Sequence, residues 1–396
     1  MPITVLPNGI TQVQTQEAQD LMIKPALVHR NPFAVGGENN RLVKTVGGVH
    51  RYRPLHLTMP QDVLVPQSGC ETWSPSAKSY VTGSSIECTY MEVNETLCGD
   101  EFTASCLHTL ASKQKEIRDL MVNNAALTPI TAALIITLQA AIGSSMYKYA
   151  WFADPNIGTG SYHSAASVDY SLNRTSADRT RFLTMMGLGS GIDTILRNLT
   201  GSGRVAYVDT NDGTLAGNAT LATNINDFLV EMRLQSSDVL QYWHDYNPGM
   251  GMPAYYLQGG LWQAFMNYIK SLPGSSEHYR FILNGTPVPG AYEFDGYPVF
   301  RWTDPDMFDA SIGLKGANGH SLNQRAMFTI PGVPTLVSNL NDPNNLETQG
   351  LMIQESPLIR EKGRTDMYMS LGIGAGIVHR DLITYGYNSS TTYTTS

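Results

Sequence analysis

Apolar positions recur with period two near the end of the chain. Met367, Met369, Leu371 and Ile373 alternate with Tyr368, Ser370 and Gly372, which predicts a β-strand. Leu382, Ile383 and Tyr385 predict a second, closing strand. Upstream, MPAYYLQ (252–258) reads as a short strand, and GGLWQAFMNYIKS (259–271) places Leu261, Trp262, Phe265, Met266 and Ile269 at helical spacing. FDGYPVFRW (294–302) predicts a buried strand introduced by Asp295-Gly296, and RAMFTI (325–330) a further one. A helix is expected over 224–240, and 154–176 reads as loop.

The first half of the chain is patterned differently. A helix is expected over 101–121, with Phe102, Cys106, Leu110, Ile117 and Met121 on its apolar side. Residues 120–147 then run for 28 positions without a charge. Thr128 before Pro129 is a helix start, a hydroxyl cap followed by proline in the first turn. Ile130, Leu134, Leu138, Ala141 and Ile142 form one stripe, widened by Ile135 and Ile136, so 128–149 predicts a long helix packed on most of its circumference. The length would span a bilayer, but Thr128, Thr131, Thr137, Gln139, Ser144 and Ser145 dilute it, and a buried helix is the expectation. DVLVP (62–66) and SSIECTYMEV (84–93) read as strands flanking a tip, WSPSAKSYVTG (73–83), together a long hairpin. Residues 1–60 show no sustained period, carry six prolines, and are expected to form an extended arm. The class is mixed, α+β, with no internal repeat.

Composition sharpens this picture at one point. Apolar residues make up 42% of the 396, ample for a core, yet charged residues only 15%, against about 25% in ordinary soluble domains. So few charges favour a chain that hides surface in subunit contacts. The net charge of −8 argues against a dedicated nucleic-acid binder, although residues 1–60 are locally basic, with six Lys or Arg against three acids. The N-terminus lacks the basic and apolar regions of a signal peptide.

Candidate chemistry is thin. Cys70, Cys88, Cys98 and Cys106 are separated by 17, 9 and 7 residues, which fits no zinc-finger pattern, and buried thiols are expected. Asp304, Asp306 and Asp309 fit helix-start caps better than cation ligands. DTNDGT (209–214) is one residue out of step with a calcium loop and has Thr220 where the bidentate glutamate belongs, so a turn between VAYV and TLAG is expected. His244, Asp245 and His278 show no catalytic or metal-binding spacing, and GLGSG (187–191) lacks a lysine partner. Gly372, Ile373 and Gly374 supply the start of a dinucleotide fingerprint, but the third glycine position is Ile377, and too little chain follows for a helix and returning strand. Gly372, Gly374 and Gly376 are better read as admitting another backbone close to a strand. We expect no catalytic, cofactor-binding or metal site.

The strand and helix of GMPAYYLQGGLWQAFMNYIKS, followed by EFDGYPVFRWTDPDMF with Gly296, Pro298 and Val299 in a G-x-P-V run, resemble the axial domain of tailed-phage major capsid proteins with the Hong Kong 97 fold. MSLGIGAGIVHRDLITYG is similar to that family's last strand. The resemblance implies an N-terminal arm (1–60), an extended-loop hairpin with peripheral-domain strands (61–100), a peripheral domain with a spine helix (101–152), an axial domain (153–345), and returning strands with a C-terminal tail (346–396). It is closest to capsid proteins of phages infecting Bacteroidetes, including the crAss-like group. It implies self-assembly into hexamers and pentamers, which form an icosahedral shell around double-stranded DNA without sequence-specific binding and without a membrane. Portal and decoration proteins are implied partners, and location is the virion, assembled in the bacterial cytoplasm. Some members begin with a charged helical scaffolding segment; a proline-rich arm stands there instead, and Met1 favours a separate scaffolding protein.

Two alternatives follow from the same residues. An encapsulin-like compartment shares the fold, but typically has a shorter chain and a compact N-terminal helix. A soluble enzyme using the Gly372–Gly376 segment belongs to a different class.

Overall fold

The computed structural model describes residues 3–5, 10–13, 43–46, 49, 51–53, 55–58, 80–83, 85–97, 114–123, 132–133, 136, 145–146, 148–155, 176–209, 221–241, 252–274, 279–283, 286–303, 324–338, 352–355 and 365–387. Its strands run in chain order as β1 (Ile3–Val5), β2 (Ile10–Val13), β3 (Lys44–Val46), β4 (Arg51–Tyr52), β5 (Leu55–Thr58), β6 (Tyr80–Gly83), β7 (Ile86–Glu87) and β8 (Thr89–Leu97). Then follow β9 (Ala206–Asp209), β10 (Ala254–Gln258), β11 (Arg280–Leu283), β12 (Thr286–Phe294), β13 (Tyr297–Trp302), β14 (Ala326–Thr329), β15 (Pro334–Ser338), β16 (Met352–Glu355), β17 (Thr365–Ile377) and β18 (Ile383–Tyr387). The mixed helix-and-strand class is as the sequence predicts.

One sheet has the order β11-β12-β13-β10-β14-β18-β9 and holds the main core. Its centre, β10, is buried along its whole length, which is why Ala254, Tyr255, Tyr256 and Leu257 read as a continuous apolar run. Tyr255 stacks on Phe328 and Tyr256 on Phe300. The helix Gly259–Ser271 follows β10 directly and sets Leu261, Ala264, Phe265 and Ile269 in the core. It packs against the helix Leu221–Leu234. β12 and β13 are joined by a two-residue turn in which Asp295 (φ 50) and Gly296 (φ 82) both take positive φ, as a tight hairpin requires.

The second sheet contains β1, β2, β16, β17, β15 and β3, with β8 also paired to β17. β17 hands the chain to β18 in the first sheet through the short turn Arg380–Leu382. Among the described residues two smaller pairs, β4 with β7 and β5 with β6, belong to neither large sheet. The long helix expected over 128–149 is helical at each described position, with Ala132, Ala133, Met146, Tyr149, Ala150, Trp151 and Phe152 buried. Among the described residues no helix is long and apolar enough to cross a membrane.

Three expectations change, and a fourth lies partly outside the described residues. The helix expected over 224–240 divides into Leu221–Leu234 and Asp238–Gln241. The cause lies in two serines: Ser236 Oγ donates to Met232 O (2.7 Å) and Ser237 Oγ to Asp381 O, side-chain bonds that compete with the helical ladder. The region taken as a hairpin tip ends in a strand, since Tyr80–Gly83 pair with Leu55–Thr58, while 62–66 lies outside the described residues. The described residues of 1–60 include five short strands, too brief to leave a readable period. The helix expected over 101–121 is described as Gln114–Asn123, with 101–113 outside the described residues.

Candidate functional site

The glycine segment is the crossing point of three strands. β8 runs along one edge of β17, from Thr89 opposite Ile373 to Leu97 opposite Thr365. β16 pairs with residues 365–368 of β17 and β15 with residues 373–377, both on the edge away from β8. At Ile373 the chain leaves β8 through Cys88 and crosses the face of β17 as β7. A Cβ on Gly374 would meet the Glu87 carbonyl oxygen and stand 2.9 Å from its carbon; one on Gly376 would stand 2.6 Å from Ile86 Cδ1. Side-chain carbons do not approach backbone so closely. At Gly374 only a residue without Cβ admits the crossing backbone, while at Gly376 the close contact is with the Ile86 side chain.

The crossing strand is packed from above. Ile86 and Cys88 cluster with Val337, flanked by Val46, Val49, Tyr52 and Val378. The Cys88 Sγ lies 3.5 Å from Val49 O and 3.8 Å from Val337 O. Outside this seat, an exposed Arg51–Glu87 pair at 3.1 Å adds little. The ribbon β4–β7, and with it β5–β6, is thus rooted on two glycines of β17.

A second constellation, absent from the sequence reading, lies within the main core. Asp193, buried in the helix Ile192–Gly201, accepts from Arg325 Nε at 3.2 Å and from the Tyr385 hydroxyl, both at Oδ1. Arg197 Nε stands 3.3 Å from its Oδ2. Gln258 Oε1 accepts from the Arg325 backbone N–H at 2.9 Å. The guanidinium of Arg325 lies 5.3 Å from the Phe152 ring centroid and that of Arg197 lies 4.6 Å from the Tyr387 ring. Burial pushes the Asp193 carboxyl up, but the two guanidinia and the Tyr385 hydroxyl outweigh it and hold it below the usual carboxylate range. Burial, with the Asp193 charge, pushes the Tyr385 hydroxyl well up. The charged form of this carboxylate is the one its partners favour. It ties the helix to β18 and to the approach to β14. The one sequence signal was the i,i+4 spacing of Asp193 and Arg197 on an apolar helix face.

The remaining candidates are dispersed. Gly187 to Gly191 form the turn between two helices, where Gly191 N donates to Ala153 O (2.7 Å) and a Cβ at Gly191 would stand 2.6 Å from Ala153 N. Asp209 ends β9. Cys88 is buried, as expected. Asp304, Asp306, Asp309, His244, Asp245, His278, Cys70, Cys98, Cys106 and residues 210–220 lie outside the described residues. Among the described residues no three His, Cys, Asp or Glu side chains group as a metal site would need.

No protein-family model matches the chain, and no curated relative does. Among solved structures, the chain is similar to the capsid of Myoviridae phage XM1 at 10% identity and TM-score 0.44, covering 90% of this chain and 92% of that one. It is similar to a chain of the satellite phage P4 procapsid including size determination (Sid) protein, at 10% identity and TM-score 0.44, covering 92% and 98%. The capsid of Ralstonia phage GP4 aligns at 9% identity and TM-score 0.43, covering 91% and 90%.

Proposed function

We propose that this chain is the major capsid protein of a tailed bacteriophage, a non-enzymatic subunit that assembles with copies of itself into the icosahedral shell of the virion. The observation that carries the reading is the ribbon rooted on Gly374 and Gly376. Among the described residues β5 and β6 pair with each other and join neither large sheet. A lone two-stranded ribbon is marginal in water, so it gains its cover from another copy of the chain. A charge content of 15% is consistent with such covered surface. Shell closure needs head-to-tail contacts, because self-complementary pairing alone ends at a dimer.

Hexameric and pentameric capsomers, a separate scaffolding protein, a portal and decoration proteins belong to this reading through the sequence resemblance. The domain division of that resemblance is part of the same proposal; in its support, the main-core sheet draws mostly on 153–345, while the β17 sheet takes strands from both ends of the chain and β15 from within that range. The enzyme alternative loses its motif, since Gly372, Gly374 and Gly376 lie inside a strand. The test is light scattering and negative-stain microscopy of the purified protein. Particles of megadalton mass are expected; a monodisperse monomer across salt and concentration overturns the proposal.

A further inference from the structure

Among the described residues the chain passes directly from strand to strand between the two large sheets twice, and the two passages lie side by side. One runs from β14 to β15 through Pro331-Gly332, where Gly332 takes φ 89 and Val333 N donates to Ile330 O at 3.4 Å. The other runs from β17 to β18 through Arg380–Leu382. Val378 N donates to Val333 O at 3.4 Å and joins the two. Adjacent links of this kind form a strap. It holds the sheets together yet bends, the few turn residues absorbing the change.

The helix Ile192–Gly201 also touches both sheets. It packs against β17, and Ile192 and Leu196 share one core with Ile377 of that strand. Towards β18, Thr200 Oγ1 donates to the Tyr387 hydroxyl at 3.5 Å. Its start is pinned, because Gly191 N and Thr194 Oγ1 both donate to Ala153 O, at 2.7 and 2.9 Å.

We propose that the Asp193 cluster is a lock that fixes the angle between the two sheets. The helix is a brace across the bend, with one side on β17 and the other, through Asp193, on the strands beyond the strap. Arg325 directly precedes β14 and Tyr385 lies in β18, the two strands of the main-core sheet that lead into the passages. Apolar contacts such as those of Ile192 and Leu196 are non-directional and change little when surfaces slide. A buried charge pair is different, because parting it leaves a charge in the core without its counter-charge. Apolar side chains of similar volume would hold a core at least as well. Stability alone therefore does not account for the ionic cluster, whereas selection of one arrangement does. The lock is a property of the single chain and does not depend on self-assembly.

The test reads the angle, not the stability. Asn94→Cys on β8 and Glu293→Cys on β12, both exposed positions, put one spin label on each sheet. Lys270→Cys with Glu293→Cys is the control within the main-core sheet and its helix. Cys88 is replaced by alanine and Cys70, Cys98 and Cys106 by serine, and labelled chains are diluted into an excess of unlabelled ones so that only distances within one chain are read. Pulsed electron resonance should give one narrow distance between the sheets; a broad distribution already overturns the lock. Asp193→Asn/Arg325→Met removes the charge pair while keeping an acceptor for Tyr385. With near-native circular dichroism, it is expected to broaden the distance between the sheets about twofold and leave the control unchanged. A folded double variant with the parent's distribution, or equal broadening of the control, overturns the proposal. Where the double variant does not fold, Tyr385→Phe, which removes one bond to Asp193 and keeps the charges, is the deciding variant. A smaller broadening is expected from it, and none overturns the lock.

Discussion

Gly374 lies directly beneath the backbone of Glu87, with no space between them for a side-chain carbon. Two strands thus cross in contact, and the crossing strand begins the ribbon. Gly374→Val forces backbone apart at this point, with β8 and β15 holding β17 from both edges. The expected result is failure to fold or to form capsomers, without any loss of cofactor binding. Wild-type protein is expected to give no heat with a nicotinamide cofactor in calorimetry; measurable binding that Gly374→Val abolished would reverse this reading.

Gly376 is the graded case. A Cβ there meets the Ile86 side chain, not backbone. Gly376→Ala is expected to cost about 1–3 kcal/mol as overpacking. Ile86→Ala removes both Cγ1 and Cδ1, the two atoms that such a Cβ would meet, so the double variant should lose less than the two single variants together. Denaturant midpoints of the two single variants and the double variant measure the coupling; strict additivity counts against contact between the two positions.

The Asp193 cluster predicts an acid dependence. A carboxyl held below its ordinary range contributes stability that is fully present above the unfolded-state value, about 3.9, and is lost as pH falls through the lower folded-state value. Asp193→Ala strands Arg325, only 1% exposed, beside an empty site, and is expected to cost about 3–5 kcal/mol at neutral pH. The difference in unfolding midpoint between wild type and variant should shrink below pH of about 4. A difference unchanged down to pH of about 2 places the stabilisation elsewhere.

Burial pushes the hydroxyls of Tyr255 and Tyr256 well up. A raised folded-state value contributes stability present below the unfolded-state value, about 10, and lost as pH rises beyond it. Ultraviolet titration should show these tyrosines, with Tyr385, ionising only as the protein unfolds in alkali. Complete tyrosine ionisation with unchanged circular dichroism contradicts their burial.

Residues 1–42 can be removed while β3 stays in place beside β15. Because β1 and β2 lie at the margin of their sheet, the truncated chain is expected to keep near-native circular dichroism and to form no closed particles. Intact shells make the arm dispensable. An unfolded truncated chain places it in the core.

The sequence determined the elements with strong local signals. The strand at β10, the helix Gly259–Ser271, the Asp295-Gly296 turn and the pair β17 and β18 were all legible, because each carries its own period or turn chemistry over adjacent residues. It also determined that Gly372, Gly374 and Gly376 sit in a strand, since Met367, Met369, Leu371 and Ile373 alternate with Tyr368, Ser370 and Gly372 leading into them. Tertiary structure decided what those glycines admit. Glu87 and Ile86 are hundreds of positions away in the chain, and no local pattern announces a crossing. The Asp193 cluster was hidden for the same reason: Arg325 and Tyr385 are ordinary residues of two strands until the sheet brings them to one carboxylate. The arm's strands were hidden by brevity, since three or four residues hold too few alternations to read, and only a partner edge makes them strands.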